Sequence, residues 1–117
     1  MRERDIEKHL VKRAEELGGE VRKVQWIGRD KAPDRVLMLP AHVVDADGKP
    51  VRGFAGFAVR TRPARTLWVE VKRPGLKATF PADEHERAQD REHERMRAVG
   101  QVVVVIDSIE GVEELLR

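Results

Sequence analysis

The chain has 117 residues, with 23 Lys and Arg against 21 Asp and Glu for a net charge of +2, and 31 residues are Leu, Ile, Val or Phe. That length suits a single domain over 1–117 with one core, too small to hold a separate cofactor-binding domain, and the core formers exceed the roughly one-fifth below which charged chains stay disordered. There are no cysteines, which excludes a disulfide scaffold, a thiolate zinc site, a Cys nucleophile and a cysteine-held iron–sulfur cluster.

The stretch Met1 to Asp5 lacks the apolar run of a signal peptide, and the longest apolar run, Val102 to Ile106, is too short to span a membrane. A cytoplasmic setting is the expectation. The charge is unevenly spread. Residues 20–77 hold thirteen basic and six acidic side chains, whereas residues 78–117 hold five and ten. Arginine supplies 16 of the 23 basic residues, and its planar fork matches phosphate oxygens. A basic middle third points toward a polyanion such as nucleic acid, although a solvated face balanced by an acidic helix has the same composition.

In chain order, residues 5–17 read as a helix with Ile6, Leu10, Ala14 and Leu17 on one stripe, ended by Gly18-Gly19. Val21 to Ile27 and Arg35 to Leu39 read as strands, the second stopped by Pro40. His42 to Phe57 reads as a hairpin turning at Asp45 to Pro50, and Arg60 to Arg65 as a basic loop holding Pro63. Thr66 to Lys72 alternates as a strand and closes at Pro74-Gly75. A charged helix over 82–99, a buried strand from Gln101 to Asp107 and a short helix from Ile109 to Leu116 complete the chain. This order, helix, strands, helix, strand, helix, predicts an α/β fold with a mixed β-sheet flanked by helices.

The strand Leu67-Trp68-Val69-Glu70-Val71-Lys72 is the most informative stretch. Alternation sends Leu67, Val69 and Val71 to the core, so Glu70 and Lys72 project together from the opposite face. A half-solvated strand with a surface Glu and Lys would look the same. Upstream, Pro33-Asp34 leads into the strand Arg35 to Leu39. If the two strands are neighbours, Asp34 comes within reach of Glu70, and two carboxylates with a backbone carbonyl make an oxygen-rich site suited to Mg²⁺. Asp30 lies in the same loop with no strand to fix it. On the first helix, Glu7 falls inside the apolar stripe between Ala14 and Val11, where a carboxylate needs a positive partner.

Together Glu7, Pro33-Asp34 and Glu70-Val71-Lys72 resemble the PD-(D/E)XK nuclease pattern, and more closely its virus-type replication-repair nuclease (VRR-NUC) branch. The ordered matches are Glu7, Gly18-Gly19, Lys23, Pro33-Asp34, Glu70-Val71-Lys72 with Arg73-Pro74-Gly75, Gln89, Met96, Gly100 and Val102 to Val105. Ala32 stands where the family usually has Gly before Pro-Asp, and the stretch from Asp34 to Glu70 is longer than usual. The resemblance implies a restriction-endonuclease-like core, a mixed β-sheet flanked by helices in the order αβββαβ, with a β-hairpin insertion at 41–65, and a Mg²⁺- or Mn²⁺-dependent DNA endonuclease. It implies that Asp34, Glu70 and the Val71 carbonyl hold the metal, and that Lys72 orients the attacking water and neutralises developing charge. Glu7 would bind a second metal directly or through water, and Gln89 and Lys23 would position substrate. By the same analogy the substrate is branched DNA such as a four-way junction, cut by a homodimer, with a helicase or other replication or repair protein as a further partner. Arg60, Arg62 and Arg65, just ahead of the strand with Glu70, are expected to contact phosphate.

Competing readings are a silent DNA-binding module of the same fold and a flap or nicking nuclease. His85-Glu86 and His93-Glu94 do not form a zinc-protease motif, since Gln89 and Arg97 stand where the second His is required. These histidines read as solvated surface residues. Gly53 and Gly56 lack the context of a phosphate loop, and nothing marks Ser108 as a nucleophile.

Overall fold

The computed structural model describes residues 1–51 and 59–117. Along the chain run helix α1 (Glu3–Glu16), strands β1 (Glu20–Lys23), β2 (Arg35–Leu39), β3 (His42–Asp45), β4 (Val59–Arg62) and β5 (Arg65–Val71), helix α2 (Glu84–Ala98), strand β6 (Val103–Ile106) and helix α3 (Ile109–Leu116). The main sheet has the order β1-β2-β5-β6. Its first three strands are antiparallel, and β6 runs parallel to β5 across the α2 crossover, so the sheet is mixed as expected.

The period of each element decides which face it buries. Ile6, Leu10, Ala14 and Leu17 form the buried stripe of α1 and meet Leu37 and Leu39 of β2 and Leu67, Val69 and Val71 of β5. Ile106, Val112 and Leu116 complete that core from β6 and α3. Each large aliphatic side chain here contributes about 1.5–3 kcal/mol by leaving water. Trp68 and Glu70 point to the other face, which α2 covers. The glycine pair has a physical reason at each position. Gly18 adopts φ +83°, and a Cβ on Gly19 would sit 2.4 Å from the Met38 carbonyl oxygen, so α1 could not turn so tightly against β2 with any larger residue.

A charged staple ties α1 to α3. Arg13, nearly buried, donates from Nε to Glu113 at 2.9 Å, from Nη1 to Glu16 at 2.7 Å and from Nη2 to the Gly48 carbonyl at 3.2 Å. His9 Nε2 lies 2.7 Å from the same Glu113 carboxylate. The Glu113 carboxyl is held below its usual range: burial alone would raise it, but hydrogen bonds from His9 and Arg13 outweigh that. Ser108 accepts a bond from the Gly111 amide at 2.9 Å, which makes it the N-cap of α3.

Several expectations need correction. The first strand ends at Lys23, not Ile27, because the chain leaves the sheet there and Trp26 turns to pack on Trp68, ring centroids 5.1 Å apart. The segment Arg60 to Arg65 is not a loop. Val59–Arg62 pairs with His42–Asp45 in a separate two-stranded sheet, and Arg65 already belongs to β5. Pro63 and Ala64 alone connect them. The Asp45 to Pro50 turn stands, with Lys49 N–H and Asp47 N–H both donating to the Asp45 carboxylate. The far arm of the expected hairpin, through Phe57, falls on residues outside the described ones. Among the described residues no helix is long and apolar enough to cross a membrane.

Candidate active site

The site lies at one end of the main sheet, where β2 begins and β5 ends. The ladder between them runs from Leu39↔Arg65 to Arg35↔Val69. One further step along each strand brings Asp34 and Glu70 to adjoining positions. The loop before Asp34 is anchored: Trp26 Nε1 donates to the Pro33 carbonyl at 2.7 Å, and Trp68 Nε1 donates to Gln101 at 3.0 Å. Pro33 itself is fully buried. Beyond β5, the Asp107 carboxylate accepts from the Gly75 and Lys77 amides at 3.0 and 3.1 Å, which fixes the turn after Lys72.

Glu70 and Lys72 are not surface residues, with side chains only 12% and 13% exposed. They meet a face of α2 built from Glu86, Gln89 and His93, spaced as neighbours on one helical side. Lys72 Nζ donates to Gln89 Oε1 at 2.6 Å and pairs with Glu86 Oε2 at 3.3 Å, while lying over the Phe80 ring. Gln89 Nε2 donates to Glu70 Oε1 at 3.3 Å. Glu86 is itself fixed, because its Oε1 accepts from the Ala82 amide at 2.9 Å and Asp83 caps the helix by accepting from the Glu86 amide. The family resemblance assigns Gln89 to substrate. Here its amide bridges the two members of the E-x-K pair, oxygen toward the ammonium and nitrogen toward the carboxylate, as their charges require.

The positive partner demanded by Glu7 is Arg35. Its guanidinium reaches Glu7 Oε2 and Asp34 Oδ2, each at 3.1 Å, and joins α1 to the start of β2. Glu3 lies one turn before Glu7 on α1, and the motif pattern does not single it out. Burial raises its carboxyl above the ordinary value, Glu7 raises it further, Lys72 opposes, and Glu70 and Asp34 add to the rise. The one signal in the sequence is its four-residue spacing from Glu7. Lys23 is exposed on β1 opposite Arg35. Asp30 stays 89% exposed, with Lys31 as its partner at 3.8 Å.

Arg60, Arg62 and Arg65 lie elsewhere. Arg65 opens β5 and Glu70 is its sixth residue, a separation of roughly 17 Å at the usual rise of a strand. Arg65 donates to the Leu115 carbonyl at 2.7 Å, and burial together with the charge of Arg62 lowers its guanidinium pKa. It therefore faces the end of α3, not the approach to Glu70. His85 is exposed beside Lys31, but His93 is completely buried, so the reading of His93 as a solvated residue is corrected.

No family model matches the chain. A curated protein titled "Putative nuclease p44", from Acyrthosiphon pisum secondary endosymbiont phage 1, is 35% identical over 108 residues, spanning 92% of this chain and 85% of the relative. A solved structure titled "VRR_NUC domain" superposes with a TM-score of 0.61 at 32% identity, covering 97% of this chain and 91% of the other. The chain belongs to the VRR-NUC nuclease family. The VRR-NUC assignment also explains the architecture, a restriction-endonuclease-like mixed sheet between helices.

The candidate donors here are oxygens: Asp34, Glu70, the Val71 carbonyl and Glu7. Among the described residues no three carboxylates or imidazoles are gathered closely enough to hold a metal ion as they stand. Arg35 occupies two of the carboxylates instead. The chemistry of the set nonetheless fits a hard divalent cation, which prefers carboxylate and carbonyl oxygens over nitrogen or sulfur.

Proposed function

We propose that this VRR-NUC protein is a DNA endonuclease dependent on Mg²⁺ or Mn²⁺, hydrolysing phosphodiester bonds with selectivity for branched DNA such as four-way junctions. The observation that carries the reading is the meeting of Asp34, Glu70 and Lys72 at one end of the sheet, with Glu7 joined to Asp34 from α1 through Arg35. Asp34, Glu70 and the Val71 carbonyl would hold a divalent cation, which would supply Lewis acidity toward the scissile phosphate and activate water. Glu7 would hold a second cation, directly or through water. Lys72, held by Gln89 and Glu86, places a fixed positive charge where negative charge develops on the phosphate.

Lys23 sits one strand beyond Asp34 and contacts the substrate backbone, while Gln89 acts on substrate through the two side chains it bridges. Resemblance to the family supports the junction preference and a homodimer, since symmetric cleavage of a four-way junction needs two sites. A helicase or another repair protein is a further partner on the same ground. The whole chain serves as one nuclease domain.

Incubating labelled linear, flap and four-way DNA with and without Mg²⁺ tests the reading. Cleavage should require the cation and be fastest on the junction. Glu70→Gln and Lys72→Ala should each lower cleavage by about three orders of magnitude or more while the fold survives, the scale of losing one charge stabiliser at a transition state. Full activity in either variant would sink the assignment.

A further inference from the structure

His93 is the one fully buried imidazole among the described residues, and neither ring nitrogen has a hydrogen-bond partner by strict geometry. Buried polar atoms are normally satisfied, so two orphans on one side chain work against folding and need another explanation. Packing alone does not provide one. Phe80 stacks on the ring at a centroid distance of 5.8 Å, a contact that an apolar side chain of similar size would also make.

The orientation of the ring provides one for Nε2. Nε2 lies 3.5 Å from Glu70 Oε1, the same oxygen that Gln89 Nε2 approaches to 3.3 Å. Both α2 nitrogens converge on Oε1, and among the described residues no donor reaches Oε2. We infer that His93 is a positioning residue for Glu70: with the proton on Nε2 it braces Oε1 beside Gln89 and leaves Oε2 for the reaction. Glu86, Gln89 and His93 then form one device, a helix face that fixes both heads of the E-x-K pair. The inference rests on the assignment of Glu70 to the active site.

Outer partners that orient a ligating side chain change metal affinity or activity by about 10–100-fold when removed. The test compares His93→Leu, which removes both orphan nitrogens but keeps bulk, with His93→Gln, whose amide nitrogen can take the place of Nε2. Three readouts are needed: thermal midpoint, Mn²⁺ affinity by calorimetry, and kcat and KM on labelled four-way DNA with Mg²⁺. His93→Leu should melt at or above wild type, keep KM, and lose about 10–100-fold in Mn²⁺ affinity and kcat, with His93→Gln recovering most of that loss. Wild-type kcat and Mn²⁺ affinity in His93→Leu would overturn the inference, as would equal impairment of both variants with lowered midpoints.

If His93→Leu fails to fold, His93→Gln is compared with the shorter His93→Asn, which cannot reach Glu70. Retention in the first and loss in the second supports positioning, and equal behaviour refutes it. Glu70→Gln in the same assay separates the role of Glu70 from that of His93. An active Glu70→Gln removes the active-site assignment itself, whereas an inactive Glu70→Gln beside a fully active His93→Leu removes only the role of His93.

Discussion

Replacing Arg35 by Met tests how the site is held before any cation arrives. The guanidinium lies 3.1 Å from both Glu7 and Asp34. Two unit charges at that distance attract by about 1.3 kcal/mol at the dielectric of water and by about 5 kcal/mol at an effective dielectric of 20. The side chains are 17%, 27% and 52% exposed for Arg35, Glu7 and Asp34, so screening places each pair near the lower figure. Met preserves the apolar stem, and the expected loss is about 1–2 kcal/mol, or about 4–8 °C in the thermal midpoint of a chain this size.

The same change should strengthen cation binding. Arg35 neutralises two carboxylates that a divalent ion also needs, and its removal should tighten Mn²⁺ by about tenfold, equivalent to about 1.4 kcal/mol. Saturating Mn²⁺ should therefore restore stability in Arg35→Met more than it adds to wild type. Paired thermal melts and calorimetric titrations measure both effects. If Arg35→Met bound Mn²⁺ more weakly than wild type, Arg35 would be organising the carboxylates, and the reasoning that it competes with the cation would be refuted.

Mn²⁺ binding should disappear in Asp34→Asn and persist in Asp30→Asn; the reverse pattern in calorimetry would mean that the wrong aspartate was chosen. Replacing Arg60 and Arg62 by Ala should weaken duplex binding and lower its salt slope by roughly 0.9 for each phosphate left without its arginine, with Mn²⁺ affinity unchanged. Arg65→Ala should instead lower the thermal midpoint, because its guanidinium holds the Leu115 carbonyl; an unchanged slope in the first pair would direct attention to Arg2, Arg4 and Arg73, which line a hollow of about 390 Å³ beside Glu3. Glu113→Gln should cost about 1–2 kcal/mol near neutral pH by loosening the α1–α3 staple. Since the folded carboxyl is held low, that contribution is complete above its ordinary value of 4.5 and fades as pH falls through the lower folded value, so urea midpoints of variant and wild type should converge in acid.

What can be read from the sequence is local and periodic. The stripe Ile6, Leu10, Ala14, Leu17 and the alternation of Leu67, Val69 and Val71 specify buried faces because the helix and strand periods are properties of the backbone itself. Gly18-Gly19, the Asp45 turn and the limits of β2 and α3 follow from residues within a few positions of each other. Even the demand for a cation beside Glu7 is legible, because a carboxylate in an apolar stripe needs one. Which cation answers it is not.

Arg35 lies 28 positions away in sequence and meets Glu7 only because β2 enters the sheet beneath α1. The strand Val59–Arg62 is polar and stops before Pro63, so it looks like a loop until β3 supplies its hydrogen bonds. His93 looks solvated on a helix rich in charge, and only the side of the sheet that α2 covers decides that it is buried against Glu70. Arg65 turns inward for the same kind of reason, since the end of α3 offers it an open carbonyl. Hydrophobic periodicity states which side chains must leave water. It carries no information about which polar groups from distant segments will be waiting there, and at this site that choice was made by tertiary packing alone.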